Sequence, residues 1–153
     1  FCNGLKDVIV AASPDGIMVC NKQDSEKIKD YANKLATCPK YEERCWGTYR
    51  VLYGSKYKNE QFSQTKIVSL KSNRNIPYHV HHYRSEVWTI IEGNGIFVLD
   101  GKEQYVKSGD TVIIPVEHYH TIKAITSLTF IEVLMGNQII EEDFESFDWN
   151  RKY

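Results

Sequence analysis

His79-Val80-His81-His82-Tyr83-Arg84-Ser85-Glu86, running on to Gly93, is the stretch on which the reading of this chain turns. In an extended strand alternate side chains point the same way, so His79 and His81 share one face. His82 begins the bend toward a second strand, and that strand carries Glu86. Two imidazoles and a carboxylate are good ligands for divalent zinc, manganese, iron, cobalt or nickel, and they leave a fourth position to be filled. The other two of the five histidines are His118 and His120, which share alternation parity, so periodicity leaves both open as the fourth ligand. A single histidine on a strand is more often a hydrogen-bonded core or surface residue than a ligand. It is the joint placement of these residues that points to a metal.

Outward from this stretch the pattern is one of short strands separated by turn residues, the signature of an all-β sandwich or barrel. Strands are expected at 47–53, 64–70, 86–92, 95–99, 103–106, 111–114, 119–124 and 128–134. Between them, Gly93-Asn94, Asp100-Gly101 and Ser108-Gly109-Asp110 are residues that tight hairpins require. Nearer the start, apolar runs at 7–12 and 17–20 flank Ser13-Pro14-Asp15-Gly16 and predict a hairpin. A helix follows, capped by Asp24 or Ser25, with Ile28, Tyr31, Ala32 and Leu35 on one face and a stop at Cys38-Pro39. In the acidic, aromatic tail Phe144, Phe147 and Trp149 are expected to pack on the exterior of the β structure.

The chain has 153 residues, 19 basic against 20 acidic side chains, and 42% hydrophobic residues, the balance of a folded soluble domain. Near-neutral charge argues against nucleic acid, whose phosphates demand a basic surface. No apolar run approaches membrane-spanning length, and the opening residues lack the features of a signal peptide. Cys2, Cys20, Cys38 and Cys45 form no C-x-x-C pair, so reduced, mostly buried thiols and a cytoplasmic location are expected. The first residue is Phe1, as in a processed product or a piece of a longer protein.

The spacing His79-x-His81, four residues, Glu86, six residues, Gly93, followed by Gly109, five residues, Pro115, four residues, His120, resembles the two motifs of the cupin superfamily. That resemblance implies an all-β cupin double-stranded β-helix, a jelly-roll barrel, with an N-terminal hairpin and one short helix. Residues 1–40 would form a linker-like extension and residues 41–153 the barrel with its C-terminal tail. The resemblance also names His79, His81, Glu86 and His120 as ligands of one divalent metal ion, and it alone favours His120 over His118. The likeness extends further. Tyr41-Glu42-Glu43-Arg44-Cys45-Trp46-Gly47-Thr48-Tyr49, the run from His81 to Trp88, and the closing Glu141 to Asp148 look like the C-terminal part of type II phosphomannose isomerases, the bifunctional mannose-1-phosphate guanylyltransferase/mannose-6-phosphate isomerase proteins. No Gly-rich nucleotide-binding loop is present, so the resemblance implies isomerase chemistry without nucleotidyl transfer. The sequence departs from that family at His79, where glutamine is usual, at Tyr83 and Val87, where histidines are expected, and at Glu117, which replaces the glycine of a Pro-x-Gly turn.

Interconverting mannose 6-phosphate and fructose 6-phosphate moves a proton between neighbouring carbons through an enediol. The reaction needs a metal at the carbonyl, a base and a cation for the phosphate. His82, His118 and Glu117 are the candidates for the catalytic base. Arg84, with Lys123 and Arg50 behind it, is the candidate for the phosphate. Tyr49, Tyr83 and Trp88 are candidate walls against a sugar. The partner is then a small sugar phosphate, with no nucleic acid and no membrane, and a homodimer is expected. Three histidines and a glutamate also suit an iron- or nickel-dependent dioxygenase or a manganese-dependent decarboxylase, and a non-catalytic sugar-binding domain is a third reading.

Overall fold

The computed structural model describes residues 3–13, 15–34, 40–138 and 143–147. The chain divides into two compact units, residues 1–41 and 42–153. In the first, β1 (Val8–Ser13) and β2 (Gly16–Asn21) form the expected antiparallel hairpin. The helical segment starts earlier than its expected cap. A 3-10 helix at Lys22–Lys27 leads into α1 (Ile28–Lys34), because Ser25 Oγ donates back to the Lys22 carbonyl and Asp24 pairs with Lys27 Nζ at 2.8 Å. Neither side chain is left to cap. Pro14, Leu35, Cys38 and Pro39 lie outside the described residues. Of the cysteines that are described, Cys20 is half-buried and Cys45 exposed, so the expectation of mostly buried thiols fails for Cys45, and both are free thiols.

The second unit is antiparallel β structure. Its strands are β3 (Tyr41–Arg44), β4 (Gly47–Lys56), β5 (Phe62–Leu70), β6 (Tyr78–Val80), β7 (Arg84–Glu92), β8 (Asn94–Leu99), β9 (Lys102–Lys107), β10 (Thr111–Ile114), β11 (His120–Ala124), β12 (Leu128–Gly136) and β13 (Glu145–Phe147). The expected closed jelly-roll barrel does not form. The strands lie in two separate sheets, ordered β10-β7-β12-β5-β4-β3 and β13-β6-β11-β8-β9. Closure needs hydrogen bonding from edge to edge. Here β10, β3, β13 and β9 end their sheets, and β13 is only three residues long. The result is an open pair of sheets packed over one core.

Alternation builds that core. In β7 and β12 every second residue is buried, which turns Trp88 and Ile90, and Phe130 and Leu134, inward. Trp88 of one sheet meets Phe97 of the other edge to face, with ring centroids 5.7 Å apart, and stacks on Phe130 at 4.8 Å. Val68, Val106, Val112 and Ile122 complete the same cluster. Each such side chain contributes about 1.5–3 kcal/mol by leaving water.

Strands β6 and β13 are shorter than the expected ones and β3 is as short as the shortest of them, and the periodic pattern does not single them out. β13 also corrects the tail. Glu145–Phe147 adds itself to the edge of β6, and Phe144, at the surface as expected, also lies against the histidines; Trp149 is outside the described residues. Phe147 packs edge to face on Tyr119 at 5.1 Å.

Gly47, opposite Leu70 where β4 meets β5, leaves no room for a side chain: a Cβ there would sit 1.9 Å from the Ser69 carbonyl oxygen. Because that neighbour is backbone, the strand itself must move. Gly47→Ala is expected to lower unfolding stability by about 1–3 kcal/mol, whereas Gly16→Ala, with open space around it and no left-handed backbone, should change it less. Urea unfolding of both variants tests this, and equal stability of Gly47→Ala and the parent refutes it.

Candidate metal centre

Three short elements bring the histidines together. β6 carries His79, the residue after its end is His81, and β11 begins at His120, which pairs directly with His79 across the ladder. All three are buried, at 4%, 3% and 0% exposure, and one ring nitrogen from each lies within 4.8 Å of the others. The outer nitrogens are fixed by carbonyls: Nδ1 of His79 donates to the Pro77 oxygen at 2.7 Å, Nδ1 of His120 to the His118 oxygen at 2.9 Å, and Nδ1 of His81 to the Asp143 oxygen. A carbonyl only accepts, so each Nδ1 holds the proton and each Nε2 of the neutral ring presents a lone pair. His120 Nε2 is buried and, among the described residues, is the only such side-chain atom without a hydrogen-bond partner.

These observations test whether a metal fits. The orphaned Nε2 of His120 beside the Nε2 atoms of two further imidazoles, each ring oriented by a carbonyl on its far side, forms the donor set that a divalent cation takes. Burial drives the His79 pKa well below its ordinary value, and the neighbouring His120 and His81 push it the same way, which keeps the ring in its ligand form. The three histidines form a site for one divalent metal ion. His81 Nε2 also accepts from Arg84 Nη2 at 3.1 Å, a bond that coordination would replace.

Glu86 reaches the cluster from β7. Its Oε1 is 3.1 Å from His81 Nε2 and its Oε2 is 3.4 Å from His120 Nε2, while Trp88 Nε1 donates to Oε2 at 2.9 Å. Burial alone would raise the Glu86 pKa, but hydrogen bonds and charge from His120 and His81, present when their Nε2 atoms are protonated, outweigh it and hold the carboxyl well below the usual range; a metal ion would take the place of those protons. Arg84 is buried as well. Its Nε donates to Glu86 Oε1 at 3.2 Å, and its Nη1 lies 3.5 Å from Asp143 Oδ2. Asp143 ties the tail to this corner, because its carboxylate also accepts from the backbone amides of His82, at 2.7 Å, and Tyr83, at 3.3 Å. Phe144, next in sequence, stacks on the His79 ring with centroids 4.5 Å apart.

The other sequence candidates are more dispersed. His82 is exposed, with Glu117 at 3.6 Å and Glu145 at 3.4 Å. Glu117 keeps the backbone of the glycine it replaces: its φ is +64° and its amide donates to the His81 carbonyl at 2.8 Å. His118 pairs with Asp100 at 2.5 Å, away from the buried cluster. Lys123 and Arg50 have exposed side chains, and their neighbours turn inward instead, Ile122 into the core cluster and Tyr49 against it. Of the candidate walls, Trp88 is core, Tyr83 is exposed and Tyr49 packs partly buried against the core.

Sequence reasoning passed over Asp143, Lys66 and Glu132. Asp143 sits in an acidic run that gives no reason to choose it. Glu132 had a signal: it interrupts the inward row Leu128, Phe130, Leu134. Its carboxylate is 3.7 Å from Lys66 Nζ.

Comparison with known proteins places these features in context. Residues 32–149 match the family described as mannose-6-phosphate isomerase C-terminal. Among curated proteins, mannose-1-phosphate guanylyltransferase ManC of Salmonella typhimurium is 23% identical over 95% of this chain and 31% of its own length. Alginate biosynthesis protein AlgA of Pseudomonas aeruginosa is 24% identical over the same shares, 95% and 31%. The chain therefore spans about a third of the relatives it matches. Among solved structures, the capsular polysaccharide assembling protein CapF from Staphylococcus aureus superposes with a TM-score of 0.61 at 16% identity, over 76% of this chain and 34% of that one, a likeness of fold alone.

Two outcomes follow from this geometry. His81→Ala and His120→Ala are expected to lower metal content of the purified protein at least tenfold, while Lys107→Ala leaves it unchanged; equal content in all three, by elemental analysis, removes the ligand assignment. The second concerns Glu132, whose carboxyl burial pushes up to about 7, with the Glu86 charge adding to the rise. An acid with a higher pKa folded than unfolded binds more protons when folded, so its stabilising contribution is full below about 4.5 and fades as the pH climbs to about 7. The parent protein should therefore lose stability relative to Glu132→Gln across that window. Urea unfolding at several pH values reads the difference, and a flat one refutes the assignment.

Proposed function

Because the chain belongs to the mannose-6-phosphate isomerase C-terminal family and its second unit is a metal-binding domain of the cupin superfamily, we propose that it interconverts mannose 6-phosphate and fructose 6-phosphate in a metal-dependent reaction. The observation that carries this reading is the convergence of three carbonyl-locked imidazoles in a family match that covers most of the chain. His79, His81 and His120 would hold the ion, with Glu86 as the fourth ligand. Once bound, the ion supplies Lewis-acid polarisation of the sugar carbonyl.

The remaining tasks fall to the chain's own groups. Arg84 lies closest to the ligands of the three cations considered for the phosphate, but its contacts with Glu86, Asp143 and His81 favour a role in orienting them. His82 and Glu117 stand at the exposed rim, where they are suited to exchanging protons with solvent and meeting the sugar's hydroxyls. Trp88 and Phe144 cover the cluster with apolar surface, which excludes water and strengthens the electrostatics inside. The guanylyltransferase reaction named for the longer relatives is assigned to those proteins and not to this chain.

Turnover of mannose 6-phosphate to fructose 6-phosphate is expected with the metal-loaded protein, lost on chelation and restored by adding the ion back. The same rate without oxygen separates this chemistry from that of a dioxygenase on the same ligands. Stoichiometric metal with no turnover would leave a cupin metal site and reject the isomerase reading.

A further inference from the structure

Resting on the isomerase reading above, we propose that Glu132 is the base that carries the proton between the two carbons of the sugar, with Lys66 as the residue that positions its carboxylate. β12 turns Leu128, Phe130, Glu132 and Leu134 to the interior, and Glu132 is the polar break in that apolar row. Its ladder neighbours are Trp88 of β7 on one side and Lys66 of β5 on the other. Trp88 donates its indole N–H to Glu86, and Lys66 Nζ lies 3.7 Å from Glu132 Oε2 and 5.0 Å from the centre of the Tyr49 ring. One step along the same face, Leu134 pairs with Glu86 itself. In an antiparallel ladder that makes Glu86 and Glu132 diagonal neighbours, about 7–8 Å apart at the backbone. A second carboxylate thus shares the inner face of the sheet with the one that meets the histidines, within the length of an open-chain sugar.

A purely structural account of this pair is weak. Burying two charges costs several kcal/mol per ion unless excellent geometry offsets it, and an apolar residue at 132 would simply continue the row. The 3.7 Å separation is looser than a hydrogen bond. The two side chains also keep 19% and 11% exposure, for Lys66 and Glu132, so neither is sealed completely from the surface. The rim candidates differ: His82 is exposed between two carboxylates and His118 is held by Asp100. A carboxylate removed from bulk water, poised by one lysine, is the better base at neutral pH.

The step balances without any co-reactant. Glu132 takes the proton from the carbon beside the aldehyde; the C–H electron pair becomes the carbon–carbon double bond, and the aldehyde π pair moves to its oxygen. A proton passes from the neighbouring hydroxyl to that oxygen. The second oxygen then becomes the carbonyl, and the double-bond pair takes the proton back from Glu132 at the former aldehyde carbon.

The test uses the metal-loaded 153-residue chain. Fructose 6-phosphate is incubated in deuterated water, deuterium entry at carbon 1 is followed by NMR, and kcat, KM and metal content are measured alongside. Glu132→Gln is expected to lower kcat and exchange together by about 10²–10⁴-fold with KM and metal content little changed, and Glu132→Asp to recover part of the loss. Lys66→Met should lower kcat and Lys66→Arg restore it. The parent protein gives a second readout that does not depend on any variant folding: an epoxide analogue of the sugar phosphate, opened by a carboxylate to form an ester, should label Glu132 in peptide mass spectra. Retained exchange in Glu132→Gln, or an ester on Glu117 in place of Glu132, overturns the assignment while leaving the isomerase reading intact. Absence of both turnover and exchange in the parent overturns both.

Discussion

The hydrogen bonds from three Nδ1 atoms to three backbone carbonyls are what the site depends on. An imidazole is useful to a cation only when neutral and correctly turned, and a carbonyl on the far side of the ring imposes both conditions. In His79 and His120 the carbonyl lies two residues earlier in the same segment, at Pro77 and His118, so the local chain sets the tautomer. In His81 it comes from Asp143, some sixty residues away. The third ligand is therefore oriented only when the tail has docked. The same Asp143 gathers Arg84 and two backbone amides, so one aspartate joins the ligand loop, the guanidinium and the tail.

That dependence explains why such short strands suffice. β6 has three residues and would be marginal alone, but it lies between β11 and β13, with His79 opposite His120 on one side and Ser146 on the other. An open pair of sheets serves the site as well as a closed barrel would, because the ligands come from the packed interior where β6, β7 and β11 meet. Of the edges, β13 bears on them, by pairing with β6 and bringing Asp143 to His81.

Much of this was legible in the sequence. Eight strands followed from alternation and hairpin residues, and His79, His81 and Glu86 from their spacing in one strand and the next. The choice of His120 over His118 was not available from parity; it depends on Asp100, which captures the His118 ring at the surface. The barrel was expected from motif resemblance, yet closure is a property of edge strands, and motif spacing carries no information about edges. β13 and Asp143 were hidden for a related reason, since a three-residue strand and one acid in an acidic run have no periodicity to detect. Lys123 and Arg50 were chosen for charge alone, and alternation turns both toward solvent.

Buried charge is what distinguishes this interior from an ordinary sandwich core. Arg84, Glu86, Glu132 and Asp143 are each at most 8% exposed, in a core otherwise built from Trp88, Phe130 and branched aliphatic residues. Replacing such groups with apolar ones of similar volume is often neutral or stabilising, so stability alone does not account for their presence. Their arrangement does: Arg84 joins Glu86 to Asp143, Glu86 faces the histidines, and Glu132 with Lys66 lies one step across the ladder. Arg84, Glu86 and Asp143 form one connected set beside the histidines, and Glu132 with Lys66 is a second pair on the same face of the sheet. A fold that accepts the cost of burying four such groups is organised around chemistry on that face, and its apolar residues serve to keep that chemistry dry.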